Sequence, residues 1–315
     1  MSISGYMTVF RGEEFQFPYK EGIKSLLGCC DEVIVFVTLK DNIDLDNTLA
    51  NLKVMSEHDK RIKIFTQIWE KDNPLQDGES KAKARSYCNG DWLIQLDADE
   101  ILHPKDFDFF INVPNIYQDK TLVGVGCLDF FNTRNQIIVD GVANYKPRIS
   151  KNVSWLTHGL QTKFSEEHPI TKKIICPSML SDGAGYIDTR TGESFNADLW
   201  LIDFDIELLR KKSLDEHQIN LTPYTELIEN TFNKLPYVFH YSCIDLNRKV
   251  ALQYRIWDAL WNLFNGVNID ITEIDFCPGN LRREKVMHRL NNTITAWVDV
   301  QHPNMALEYL AKIGK

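Results

Sequence analysis

An α/β fold, a mostly parallel sheet flanked by helices and followed by a helical C-terminal extension, is what this 315-residue sequence predicts. Three observations carry that prediction. Short β-branched runs alternate with helical stretches from residue 2 to residue 100, the pattern of right-handed strand–helix–strand units. Trp92-Leu93-Ile94-Gln95-Leu96, between Gly90 and His103-Pro104, is a short apolar run that reads as a buried parallel strand. From Asp203 onward the periodicity becomes helical.

Taken in order, residues 2–10 form a first strand that ends in Arg11-Gly12-Glu13-Glu14. Residues 15–27 form a helix closed by Gly28. Val33-Ile34-Val35-Phe36-Val37 is the most strand-like run in the chain, and an acidic loop with Asp41, Asp44 and Asp46 follows it. Residues 48–58 are helical, 61–65 a third strand, and 78–89 a basic helix with Asp77 available as its cap. Beyond residue 100 come a Pro-started helix, a loop with Pro114, a strand at 121–131 and an extended piece from Tyr145. Residues 181–186 form a turn and 188–196 a polar loop. Helices are expected at 205–212, 223–233, 248–266, 281–291 and 304–313, interrupted by an aromatic strand at 235–242. Ile256, Leu260, Leu263 and Phe264 repeat at helical spacing, as do Trp257 and Trp261, and mark a core or dimer stripe.

Composition limits the function. A hydrophobic content of 43% and a charged content of 25% are ordinary globular values. A net charge of −9 disfavours a nucleic-acid partner, whose phosphates need a basic surface. The seven cysteines show no ligand-like spacing and read as reduced thiols. With neither a basic-then-apolar leader nor an apolar run long enough to span a bilayer, a cytoplasmic location is expected, in a host cell if the source is viral.

The chemistry concentrates at Gly90-Asp91-Trp92-Leu93-Ile94-Gln95-Leu96-Asp97-Ala98-Asp99-Glu100. Strand alternation puts Asp97 and Asp99 on one side, where two carboxylates repel unless a cation joins them. Paired Asp oxygens suit Mg²⁺ or Mn²⁺, which in turn can hold a diphosphate. Upstream, Lys81 and Arg85 lie one helical turn apart and share a face that an anion could meet. In a parallel α/β sheet all these groups gather outside the carboxyl ends of the strands.

A basic helix feeding a buried strand that ends in Asp-Ala-Asp-Glu resembles the core of GT-A (Rossmann-like) glycosyltransferases, closest to family 2. The resemblance spans residues 1–130. It implies a nucleotide-sugar-binding half at 1–130, an acceptor-side half at 131–242 and a helical extension at 243–315. It further implies inverting transfer from a UDP-sugar to an acceptor hydroxyl. Phe10 and Arg11, at the end of the first strand, would meet the nucleobase, as would Asp72. Asp41 or Asp44 would reach the ribose or base, and Asp97 and Ala98 would line the nucleotide site with Lys81 and Arg85. Asp99 would bind the metal directly, Asp97 would contact ribose or a metal-bound water, and His240 would complete the shell. An imidazole ligand favours Mn²⁺ over Mg²⁺.

The catalytic base is left open among Glu167, Glu166, Asp182 and Asp129, with Glu167 favoured. His158 is either an acceptor contact or a structural histidine. Saccharide-type acceptors fit best, a modified base in viral DNA is the disfavoured alternative, and a homodimer is compatible with the helical tail. Two other readings stay open, a non-catalytic glycan-binding relative and a sugar nucleotidyltransferase. The second would need a better Gly-rich phosphate signature than Phe10-Arg11-Gly12-Glu13-Glu14 provides.

Overall fold

The computed structural model describes residues 1–70, 76–138, 145–158, 166–167, 174–175, 185–201, 232, 234–253, 279–293 and 295–315. Four parallel strands form its centre. They are β1 (Ile3–Phe10), β2 (Glu32–Leu39), β3 (Ile62–Ile68) and β4 (Trp92–Leu96), in the order β3-β2-β1-β4. β2 is buried at every position, as its Val/Ile run predicts for a strand covered on both faces.

Helices α1 (Tyr19–Leu27), α2 (Thr48–His58) and α3 (Gln76–Ser86) make the crossovers. α1 starts four residues later than the sequence pattern suggested. Arg11 and Gln16 sit at φ of 50° and 52° and fold the intervening residues into a turn, and Pro18 stands at the N-cap. Gly28 does end α1, but with φ −70°; a Cβ there would lie 2.2 Å from the Phe107 ring, so space rather than a left-handed cap requires glycine. α3 begins at Gln76, which places Asp77 inside the first turn instead of at the cap.

Next come β5 (Glu100–Leu102), a 3-10 turn at Pro104–Asp106, and α4 (Phe107–Ile116), which holds Pro114 inside the helix rather than in a loop. β6 (Leu122–Phe131) is buried throughout, and β7 (Gln136–Ile138) pairs with its end. β8 (Tyr145–Lys151) inserts antiparallel between β4 and β6. β9 (Leu156–His158), β10 (Glu166–Glu167), β11 (Ile174–Ile175), β12 (Tyr186–Asp188) and β13 (Glu193–Ser194) make two small separate sheets. The expected polar loop at 188–196 is therefore part of a hairpin, turned at Gly192 with φ 71°.

β14 (Leu199–Leu201) and β15 (Tyr237–Cys243) pair parallel with successive halves of β6. α5 (Leu246–Arg248) leads into a π-helical turn at Lys249–Gln253. α6 (Gly279–Asn292), β16 (Thr295–Trp297) and α7 (Asn304–Lys312) follow. The aromatic stripe at 256–264 and the helices expected at 205–212 and, apart from Phe232, at 223–233 lie outside the described residues.

Among the described residues eleven strands form one sheet. It is the α/β sheet of the GT-A expectation, with one amendment: beyond β4 antiparallel pairs dominate, so it is mixed rather than mostly parallel. β15 fills the space between β5 and β6 and sets His240 opposite Glu100 on one side and Asp129 on the other. Ala306, Tyr309 and Leu310 of α7 pack into one core cluster with Phe239 and Tyr241 of β15. Each fully buried side chain of this kind contributes roughly 1.5–3 kcal/mol.

Candidate functional site

β4 stops at Leu96, and residues 97–99 form the turn into β5. Strand alternation therefore no longer governs the acids, and Asp97 and Asp99 take different partners. This corrects the expectation that one cation joins them.

Asp97 belongs to a buried ionic cluster. Its Oδ1 lies 2.9 Å from Lys81 Nζ and accepts from Gln95 Nε2 at 3.0 Å; its Oδ2 accepts from Arg148 at 2.7 Å. Arg148 also donates to both Glu100 oxygens, at 2.9 and 2.7 Å, and to Gln95 Oε1 at 2.6 Å. Lys146 Nζ donates to Glu100 Oε1 at 2.7 Å, and the Asp97 backbone N–H donates to Glu100 Oε2 at 3.0 Å. Burial pushes the carboxylates up and the amines down. Attraction wins on both sides: Lys81 and Arg148 hold Asp97 well below the usual range, Arg148 and Lys146 hold Glu100 below it, and both lysines are pushed up.

Asp99 belongs to a second group. Its Oδ2 is 3.4 Å from His240 Nε2, and His240 Nδ1 is 2.9 Å from Asp129 Oδ1. Burial and Lys146 push the imidazole down, Asp129 and Asp99 push it up, and the carboxylates prevail at about 9. Burial raises both acids, but His240 outweighs it and keeps Asp99 and Asp129 below the usual range, with Lys249 adding to the effect.

Asp99 and His240 fit two positions of a divalent ion's shell, with their nearest ligating atoms 3.4 Å apart. Among the described residues no three His, Cys, Asp or Glu side chains are arranged to hold an ion by themselves. Mg²⁺ is usually held by one or two protein groups, with phosphate oxygens and water completing its shell. Asp97 does not join this pair, because both its oxygens already face cations. Of Asp97, Asp99 and His240, the expected ligands, only Asp99 and His240 face each other.

At the ends of β1 and β2 a shallow cleft is lined by Phe10, Arg11, Asp44 and Asp46. Arg11 pairs with Glu14, and Phe10 packs on Trp69 with ring centroids 4.8 Å apart. Asp44 accepts from the Ala50 N–H at 2.8 Å, and Asp46 from those of Thr48 and Glu14 at 3.2 and 2.9 Å. Both loop acids therefore tie down the start of α2, whereas Asp41 is exposed at φ 49°. Ala98 is buried in the turn beside Asp97.

Arg85 departs from expectation. Its Nε donates to the Leu156 carbonyl at 2.9 Å, Nη1 to Ser150 Oγ at 2.7 Å and Nη2 to the Lys151 carbonyl at 2.6 Å. It clamps α3 to β8 and β9, and only Lys81 reaches the acids. His158 is buried, with Nε2 2.5 Å from Tyr6 Oη. Glu166 and Glu167 are described by their backbone pairing to β11 alone, and Asp72 and Asp182 lie outside the described residues.

Sequence reasoning missed Lys146 and Arg148. Their signal was two cations at strand spacing in Tyr145-Lys146-Pro147-Arg148-Ile149, which puts both on one face. A cleft of about 450 Å³ opens at the other end of the strands, beside Ser2, Glu32, Arg61 and Lys63. It sits at the wrong edge for a ligand of a parallel sheet.

No family model and no curated protein matches the chain. Among solved structures, part of it is similar to a mannosyltransferase from Pyrobaculum calidifontis in complex with GDP-Man and Mn²⁺. The identity is 14%, over 41% of this chain and 36% of that one, at a TM-score of 0.31. A similar stretch resembles glucosyl-3-phosphoglycerate synthase from Mycobacterium tuberculosis in complex with Mg²⁺ and UDP, at 18% identity, 40% and 43% coverage and a TM-score of 0.28. The chain spans less than half the length of either. All of it aligns with 92% of a TarS fragment from S. aureus, at 11% identity and a TM-score of 0.37.

Proposed function

We propose that this chain is a metal-dependent glycosyltransferase that moves a sugar from a UDP-sugar to a saccharide hydroxyl with inversion. The observation that carries the reading is the Asp99–His240 pair beside buried Lys81 and Arg148 and half-buried Lys146, at the carboxyl edge of the parallel strands. Residues 78–100, which resemble family 2, supply Lys81 and Asp99 to this edge, and Lys146, Arg148 and His240 come from β8 and β15.

A bound Mn²⁺ or Mg²⁺, held by Asp99 and His240, would supply Lewis-acid neutralisation of the departing diphosphate. Lys81, Lys146 and Arg148 keep their charge at neutral pH, paired with Asp97 and Glu100, and so form a preorganised ionic frame at this edge. Arg148 and Lys81 hold Asp97 in place as the ribose-facing acid. Arg248, just after β15, has Nη1 bonded to the Gln16 carbonyl and to Tyr309 Oη, while its buried Nε and Nη2 have no hydrogen-bond partner among the described residues. Buried donors of this kind call for an acceptor, and a phosphate oxygen supplies one.

Phe10, Arg11 and Asp41 frame the nucleobase end. Glu166, Glu167 or Asp182 takes the proton of the acceptor hydroxyl; Asp129 is too enclosed against His240 to do so. Residues 1–130 furnish most of the donor side, 131–242 the acceptor side, and 243–315 the closing helices.

Thermal unfolding with UDP and UDP-sugars, each with Mn²⁺ and with EDTA, tests this. A ligand at a hundred times its Kd stabilises the native state by about 2.7 kcal/mol. A Mn²⁺-dependent rise is expected in the wild type and its loss in Asp99→Ala. A metal-dependent rise that survives Asp99→Ala, or no rise with any nucleotide in folded protein, overturns the reading.

A further inference from the structure

We infer that Asp129 is the positioning residue for His240: it accepts the proton on Nδ1, fixes the tautomer, and so presents Nε2 to a metal beside Asp99. This rests on the metal reading proposed above and adds the group that makes His240 a competent ligand.

The sheet itself sets up the contact. Asp129 of β6 and His240 of β15 are register partners in a parallel pair, so their side chains stand side by side on one face. Nδ1 and Oδ1 are 2.9 Å apart. Both atoms are closed to solvent, yet neither makes a well-aligned hydrogen bond, and Nε2 of the same ring lies 3.4 Å from Asp99. The imidazole is thus shared between two carboxylates and fully satisfies neither. A cation at Nε2 leaves one ring proton, on Nδ1, and Asp129 is the carboxylate next to it. Metal-bound histidines are oriented in this way by a carboxylate on the other ring nitrogen.

The surroundings argue against a purely structural role. β6 reads Leu-Val-Gly-Val-Gly-Cys-Leu-Asp-Phe-Phe and is buried from end to end. A carboxylate inside such a strand is costly unless paired, and an apolar residue of similar size would serve packing better. His240 is the side chain paired with it. Because Asp129 Oδ1 is sealed from solvent, an acceptor hydroxyl has no access to it.

The test uses the full chain with Mn²⁺ and UDP. Mn²⁺ affinity is titrated by electron paramagnetic resonance, and ¹⁴N coupling to the bound ion is read by electron spin-echo modulation. In Asp129→Leu we expect Mn²⁺ binding weakened roughly 10- to 100-fold with ¹⁴N coupling reduced in the protein that remains folded, a spectroscopic change that a merely structural carboxylate does not give. Asp129→Asn keeps an acceptor for Nδ1–H, so it should lose less affinity and retain the coupling; it also serves if the leucine variant fails to fold. Wild-type affinity and coupling in both variants would overturn the inference while leaving the metal reading in place. Absence of ¹⁴N coupling in the wild type, or unchanged Mn²⁺ affinity in His240→Ala, would instead remove His240 as a ligand and the reading with it.

Discussion

Arg148→Met would remove the cation that ties Asp97, Glu100 and Gln95 together. Four contacts of 2.6–2.9 Å go with it, and Glu100, at 0% exposure, keeps Lys146 as its ion-pair partner among the described residues. Deleting one member of a buried ion pair costs about 3–5 kcal/mol, because the remaining charge stays buried and uncompensated. Lys146 offsets part of that loss, so we expect the lower end, about 3 kcal/mol. At roughly 2 °C per kcal/mol for a chain of this length, the melting temperature should fall by about 6 °C. Urea unfolding followed by tryptophan fluorescence would give the free energy directly. In a Glu100→Gln background the same substitution should cost about 1–3 kcal/mol less, since the orphaned charge is gone. A loss under about 1 kcal/mol, with nothing recovered in the double variant, would show that the network is solvated and does not frame the site.

Two further outcomes follow from the packing and the titrating groups. Gly22 of α1 lies against β5, where an added Cβ would sit 2.6 Å from the Glu100 carbonyl oxygen and 2.8 Å from Met7 Cε. Gly22→Ala should destabilise by about 1–3 kcal/mol and weaken UDP binding by shifting Glu100; unchanged values for both would disconnect α1 from the site. His103 is pushed down to about 4 by burial and by Lys105, and it accepts the Lys105 N–H on Nδ1. Between pH 6.5 and about 4 the unfolded chain therefore binds the proton and the folded chain does not. Stability that His103 contributes in full above pH 6.5 is lost as pH falls through that window. His103→Asn, which retains an acceptor, should flatten the dependence of the urea midpoint on pH there, and an unaltered slope would clear His103 of the effect.

What could be read from the chain was local. α2 matches residues 48–58, and β2 coincides with the longest β-branched run, because local pattern and burial agree at both. The failures have a common physical origin in contacts distant along the chain. Lys81 and Arg85 share a helical face by spacing, but at the level of Arg85 that face meets β8 and β9 instead of the ligand edge. Asp97 and Asp99 look like one pair until the strand is seen to stop at Leu96. Lys146 and Arg148 acquire meaning only because β8 runs back between β4 and β6, a pairing that no local pattern specifies. Asp129 did carry a signal, an acid inside an apolar strand, and His240 is the group that faces it there.

The insertion of β15 between β5 and β6 has a consequence for synthesis. His240 leaves the ribosome 140 residues after its register partner Glu100. At about 5–20 residues per second that is a delay of roughly 7–28 s. During this interval the parallel strands can already have formed, with β5 and the second half of β6 still lacking their neighbour. Such open edges invite pairing with other chains, so the most vulnerable period in the life of this molecule precedes the arrival of the strand that carries His240.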